Sequence, residues 1–233
     1  MRAMVISVST RRWRFLLAIL LLGAAAGAGY YLWLQSNVLM PAAELVEKAV
    51  HQTADTQGYR YTLLATMEVD GRTQTWSDIA GERSNQDVHI VGRMLNTPVE
   101  MYQVGKTSYN RDPFTNKWYT VEGYDLNEQS ILMMEINPLS NLNFKTVAEA
   151  EYTGREKVKG KDCWVINCRP DLENQLLEVL WQDFCYQLWI DRREGLIRKA
   201  VLEAKSRNST TSSLKITMEI FDFNQPINIT PPQ

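Results

Sequence analysis

At 233 residues, with 45% hydrophobic and 22% charged side chains, the chain is long enough to bury one substantial core and has ordinary globular composition beyond its N-terminus. Its 25 basic and 27 acidic residues leave a formal charge of −2. There is no concentrated basic surface of the kind phosphate contacts require, so no nucleic-acid partner is expected. Only His51 and His89 are present, at no ligand-like spacing, so no metal site is expected either.

Residues 1–14 carry Arg2, Arg11, Arg12 and Arg14, and from Phe15 to Leu34 the chain has neither a charge nor a proline. As a helix rising about 1.5 Å per residue, this run spans about 30 Å, the hydrocarbon thickness of a bilayer. The first basic residue beyond it is Lys48, and Tyr30, Tyr31 and Trp33 crowd its far end. The positive-inside bias and the aromatic belt therefore predict a single-pass transmembrane helix or signal anchor over 15–34, with a cytoplasmic N-terminus. Residues 35–40 would be a linker and 41–233 an extracytoplasmic domain at the cell membrane. The competing reading is a cleaved signal peptide, for which Ala24 to Ala28 offer small residues. The apolar run continues past them to Leu34, which favours the anchor, and with no cysteine nearby, lipidation there is excluded.

After the linker, PAAELVEKAVHQTADT places Leu45, Val46, Ala49 and Val50 on one helical face, with Pro41 at the start and Gly58 just beyond the end. The period then becomes two. Tyr59, Tyr61, Leu63, Ala65, Met67 and Val69 alternate with mostly polar residues and predict a long half-buried strand. Asp70-Gly71 turns it into a return strand around Thr73 to Ile79. Strand-like segments follow at Asp87 to Met94, Val99 to Gln103, Lys106 to Asn110 and Lys117 to Glu122, separated by turn signals at Gly105 and Asp112-Pro113. A second helix is expected from Leu126 to Ile136, ending at Pro138. Strands at Glu151 to Lys157 and Cys163 to Cys168 flank a turn at Lys159 to Lys161. DLENQLLEVLWQ reads as a third helix capped by Asp171, with Leu172, Leu176, Val179 and Leu180 as its stripe. Three strands, CYQLWID, LIRKAVLEAK and SLKITMEIFDF, close the chain. The pattern is mainly β, an α+β domain in which an antiparallel meander carries a few helices.

Cys163, Cys168 and Cys185 are too few for a disulfide framework. Cys163 and Cys168 would lie about 16 Å apart on one strand, so they cannot pair with each other. Either can bridge to Cys185 on a neighbouring strand, and three buried thiols are the alternative.

Four phrases resemble the LolA/LolB/LppX-like superfamily of lipoprotein carriers and outer-membrane lipoprotein-sorting proteins, which also holds mycobacterial lipid-carrying lipoproteins and an anti-sigma regulatory sensor. They are YQVGKTSYNRDPFTNKWYTVEG at 102–123, YTGREKVKGKDCWVINCRP at 152–170, YQLWIDRREGLIRKA at 186–200 and FDFNQPINITPP at 221–232. Each is a strand–turn–strand phrase, and their order and spacing carry the match. The resemblance implies a strongly curved antiparallel sheet, an unclosed half-open barrel, with helices packed inside or beside it and an apolar cavity for acyl chains. It carries over no ligand-contacting residue. It differs from a soluble carrier in being tethered.

The expected function is thus that of a bacterial cell-envelope, membrane-tethered binding protein for a lipid acyl chain or a lipidated protein. No catalysis and no cofactor are expected, because no G-x-S-x-G elbow, P-loop or H-E-x-x-H occurs. Glu149, Glu151, Asp191 and Glu194 read as the solvated side of strands and turns. The candidate cavity or lid residues are Leu63, Met67, Ile131, Met133, Met134, Leu176, Leu180 and Trp189, the methionines because their flexible thioethers suit irregular apolar ligands. The alternative is an envelope sensor of the same fold with a membrane-protein partner, for which Gly23 and Gly27 supply a helix-packing spacing.

Overall fold

The computed structural model describes residue 27 and residues 40–123, 137–172 and 175–232, with the side chains of Gln175 and Leu176 excepted. The chain divides after Met40 into two units. Apart from Gly27, the apolar run 15–34 lies outside the described residues, as does the helix expected over 126–136. Among the described residues no helix is long and apolar enough to cross a membrane.

The second unit opens with α1, Ala42–Ala54, begun by a bond from Leu45 N to Pro41 O. Its buried stripe is Ala42, Val46, Ala49 and Thr53. Thr53 earns its burial by satisfying its hydroxyl twice: Oγ1 donates to Ala49 O at 2.6 Å and accepts from Ile197 N at 3.0 Å. That second bond pins the last turn of the helix to the sheet.

Among the described residues the sheet has eleven strands: β1 Gly58–Val69, β2 Arg72–Ser84, β3 Asp87–Met94, β4 Thr97–Val104, β5 Thr107–Arg111, β6 Trp118–Glu122, β7 Phe144–Val158, β8 Lys161–Leu172, β9 Trp181–Asp191, β10 Ile197–Ser206 and β11 Ser213–Phe221. A 3-10 turn, Pro138–Leu142, precedes β7, and a short helix α2, Gln175–Leu180, joins β8 to β9. The spatial order is β6-β5-β4-β3-β2-β1-β11-β10-β9-β8-β7, antiparallel throughout. Two meanders, β1 to β6 and β7 to β11, therefore meet along the β1–β11 seam. The edge strands β6 and β7 are not paired with each other, so the sheet is not closed into a barrel. Asp70-Gly71 makes the expected tight turn, with both residues at positive φ of 50° and 73°.

Several elements differ from expectation. β2 runs on to Ser84, and β7 starts at Phe144 rather than near Glu151, because pairing with β7's partner β8 continues from Val158↔Lys161 to Phe144↔Leu172. The same pairing overrides the third helix. Asp171 and Leu172 belong to β8, and Asp171 accepts a bond from Thr146 Oγ1 instead of capping a helix. Among the described residues of this stretch Gln175–Leu180 is helical, and Trp181 begins β9.

Alternation sorts the side chains into two faces. The inner face gives the main core, in which Tyr61, Leu63, Ile79, Ile90, Ile166, Leu188, Ile190, Leu202, Ile216 and Met218 are all but fully buried. α1 packs there, chiefly on β7 and also on β8, β9, β10 and the 3-10 turn. The outer face carries a smaller cluster of Val158, Cys163, Val165 and Trp189, with Val201 against it. Gly81 fits the core by lacking a side chain: the ring of its cross-strand partner Tyr61 occupies the space a Cβ would need. Gly81→Ala is therefore expected to displace that ring and to cost roughly 1–3 kcal/mol, measurable by urea unfolding.

Asp191 corrects the sequence reading. It is 3% exposed, not solvated, and is held by Arg198, which is itself 6% exposed. Arg198 Nε and Nη2 both donate to Asp191 Oδ2, at 3.1 and 3.0 Å, and Nη2 also reaches Glu194 Oε2 at 2.6 Å. The other oxygen, Oδ1, accepts from the backbone N–H of Arg193 and of Glu194, so one carboxylate organises the whole β9–β10 turn.

Candidate ligand-binding face

The inner face acquires its apolar character strand by strand. On β1 the odd residues Tyr59 to Met67 face inward. Pairing carries the same face across to β6: Met101 on β4 opposes Asn110 on β5, which opposes Tyr119, and Gln103 opposes Ser108, which opposes Val121. Cross-strand partners share a face, so Tyr119 and Val121 are inner-face residues. Unlike the buried Met101, they are 53% and 40% exposed. The apolar face thus reaches accessible surface at the β6 edge.

A cavity of about 350 Å³ lies where the C-terminal end of α1, the start of β1, the end of β2 and the 3-10 turn converge. Val50, Ala54, Tyr59, Leu139 and Leu142 supply its apolar wall, and Arg83, Asn85 and Asn143 are among its polar groups. Its size falls within the ~300–1,000 Å³ range of small-molecule sites. Burial pushes the Tyr59 phenol up to about 12, with the Arg83 guanidinium opposing the shift. The phenol is therefore neutral at physiological pH, and Arg83 provides the positive charge at this cavity.

The structure distributes the sequence-derived candidates unevenly. Leu63, 1% exposed, and Met67, half-buried, lie on the inner face two and four strand positions beyond Tyr61 and Leu63 respectively along the same odd series. Leu180 is on α2 and 48% exposed, away from the main core. Trp189 is on the outer face, because Leu188 and Ile190 point inward beside it. Its indole N–H donates to Glu156 Oε2 at 2.7 Å. Ile131, Met133, Met134 and the side chain of Leu176 lie outside the described residues. Reading the sequence missed Tyr59 as a cavity residue along with Val50, Arg83, Leu139 and Leu142. The odd-position series beginning at Tyr59 was a usable signal for the first alone.

All three cysteines are free thiols. Cys163 opposes Asp191, which lies six positions along β9 from Cys185, about 20 Å at strand spacing. Cys168 opposes Tyr186, so alternation turns Cys185 to the other face. Neither bridge to Cys185 is therefore formed. Burial pushes the Cys163 thiol up to about 11 and that of Cys168 up to about 12. Maleimide at mildly alkaline pH is expected to modify Cys185 alone in the native protein and all three thiols after denaturation. Mass spectrometry of the adducts checks this, and rapid native labelling of Cys168 would contradict the buried placement.

An open, eleven-stranded antiparallel sheet with one mainly apolar face and a helix laid across part of it defines a half-barrel fold. No family model matches the sequence, and no curated protein matches it. Among solved structures the chain is similar to the LprF protein of Mycobacterium bovis, with a TM-score of 0.56 at 13% identity over 82% of this chain and 96% of that one. It is similarly close to the lipoprotein LppX of Mycobacterium tuberculosis, with a TM-score of 0.53 at 13% identity over 81% and 98%. The chain therefore shares its fold with LprF and LppX.

Proposed function

We propose that this protein is a non-catalytic, membrane-tethered binding domain of the bacterial cell envelope that shelters a lipid acyl chain, free or on a lipidated protein, against the inner face of its sheet. Residues 15–34 are its anchor, the N-terminus is cytoplasmic, and 41–233 form the extracytoplasmic domain. The observation that carries the reading is the inner face itself. It is mainly apolar, reaches solvent at Tyr119 and Val121, and leads at the start of β1 to a ligand-sized cavity with Arg83 among its walls. An acyl chain would bury apolar surface worth about 0.8 kcal/mol per CH₂. Arg83 would pair with an anionic headgroup or carboxylate. The shared fold with LprF and LppX supports the reading.

The test is photo-crosslinking of the full chain in vesicles containing a phospholipid with a diazirine in its acyl chain. Adducts should map to inner-face peptides containing Met67, Trp76, Met94 or Tyr119. A Tyr119→Asp/Val121→Asp double variant should lower inner-face labelling several-fold with little loss of stability, since both side chains are already largely exposed. Adducts confined to the outer face or to the anchor would contradict the proposal and favour the sensor with a protein partner.

A further inference from the structure

The two ends of the β1–β6 meander differ in chemistry. In an antiparallel meander alternate turns share an end, so the turns after β1, β3 and β5 lie together and those after β2 and β4 lie opposite. The opposite end is polar, with Asn85-Gln86 and Gly105-Lys106 at its tips. At the first end each tip exposes a large apolar side chain: Val69 at 42%, Leu95 at 47% and Phe114 at 89%. Each tip also carries, within three residues, an exposed cation that makes no ion pair among the described residues. These are Arg72, Arg93 and Lys117 respectively.

The carboxylates of two of these turns are held in place by hydrogen bonds within the protein. Asp70 accepts from Thr211 Oγ1 at 2.7 Å. Asp112 accepts from the N–H of Phe114 and of Thr115 and from Thr115 Oγ1, which fixes the turn that holds Phe114 in water. Glu68, the acid beside the first tip, lines a groove on the outer face. The second tip is built against its own stability. Leu95 and Asn96 have φ of 47° and 66°, and the first of these positions ordinarily takes Asn, Asp or Gly. A leucine there strains the backbone and exposes apolar surface at once. Through the pairs Ala65↔Ser77↔Met94 and Tyr61↔Gly81↔Ile90↔Met101↔Asn110, successive tips step back along β1 in one direction. Strand tilt staggers the rim of a curved sheet in this way, so the three tips line one edge.

We propose that this edge docks on an anionic bilayer, with Val69, Leu95 and Phe114 entering the interfacial layer while Arg72, Arg93 and Lys117 meet lipid phosphates. Apolar insertion combined with nearby cations is how interfacial binding gains both its affinity and its preference for anionic lipid. The occupant is a membrane because the apolar run ends at Leu34 and the sheet unit begins at Pro41. The few intervening residues reach only about 20 Å when extended. The inference rests on the tether proposed above and not on the acyl ligand.

The experiment places a bimane fluorophore at Phe114→Cys, and separately at Lys106→Cys on the opposite end, in full-length Cys185→Ser protein reconstituted in phosphatidylcholine–phosphatidylglycerol vesicles. Quenching by doxyl-labelled lipid is expected to be at least about threefold stronger at 114 than at 106. It should fall when Leu95→Asp is added and when phosphatidylglycerol is omitted, with the circular dichroism spectrum unchanged. Equal quenching at the two positions, or none at 114, overturns the docking edge. Alkaline carbonate extraction separates the two failures. Protein that stays in the vesicles with an unquenched 114 label leaves the tether standing and removes the edge, and protein that is released and unquenched removes both.

Discussion

Arg198→Leu is expected to cost about 3–5 kcal/mol, the usual penalty for stranding one partner of a buried ion pair. The guanidinium supplies two of the bonds to Asp191 Oδ2 and lies 4.9 Å from the Phe223 ring centroid. Without it a carboxylate only 3% exposed keeps its two backbone donors but loses its countercharge. The double variant Arg198→Leu/Asp191→Leu should recover part of the loss, because no charge is then left unpaired. The same pair predicts an acid transition. Burial alone would push the Asp191 carboxyl up, but the N–H groups of Arg193 and Glu194, together with Arg198, outweigh it and hold the carboxyl below its ordinary value. Because the folded value is the depressed one, the stabilisation is complete above the ordinary carboxylate range and is lost as pH falls through that folded value. Urea melts of wild type and the double variant against pH check the sign. The wild type should lose more stability on acidification, and parallel curves would count against the assignment.

Leu188→Ala is expected to cost about 2–5 kcal/mol, the range for removing a buried leucine and leaving a cavity. Leu188 is fully buried on β9, between Ile166 on β8 and Ala200 on β10. Ala200 cannot swing in to fill the gap, and paired backbones on both sides resist collapse, which places the expectation in the upper half of that range. Val91→Ala, on an exposed outer-face position, should by contrast stay within about 0.5 kcal/mol. Equal costs at the two sites would mean that the inner and outer faces of the sheet are wrongly assigned.

The legibility of the fold followed how local each signal was. β1 was readable because its outer face is wet, so Tyr59 to Val69 alternate in sequence as they do in space. α1 was readable for the same reason at helical period. β7 was curtailed because FKTVAEA lacks a clean period and becomes a strand only through pairing with Cys168 to Leu172. DLENQLLEVLWQ has genuine helical spacing, yet β8 claims its start and β9 its end. The four family-like phrases were strand–turn–strand units, and one of them, DRREG with Arg198, proves to enclose a buried ion pair. Nothing local marks Asp191 as buried, since its partner lies across the turn. Trp189 was assigned to the wrong face because Leu188, Trp189 and Ile190 are all apolar and alternation therefore leaves no trace in composition. The cavity beside Tyr59 draws on four elements distant in sequence, so only the tertiary structure assembles it.

Native mass spectrometry of the unit Pro41–Gln233, purified without detergent from a lipid-containing host, tests the central claim most directly. The account predicts a stoichiometric bound species that releases an acyl lipid on extraction and is diminished by Arg83→Glu. A bare polypeptide mass that stays unchanged after incubation with phospholipids, fatty acids and lipopeptides would contradict it.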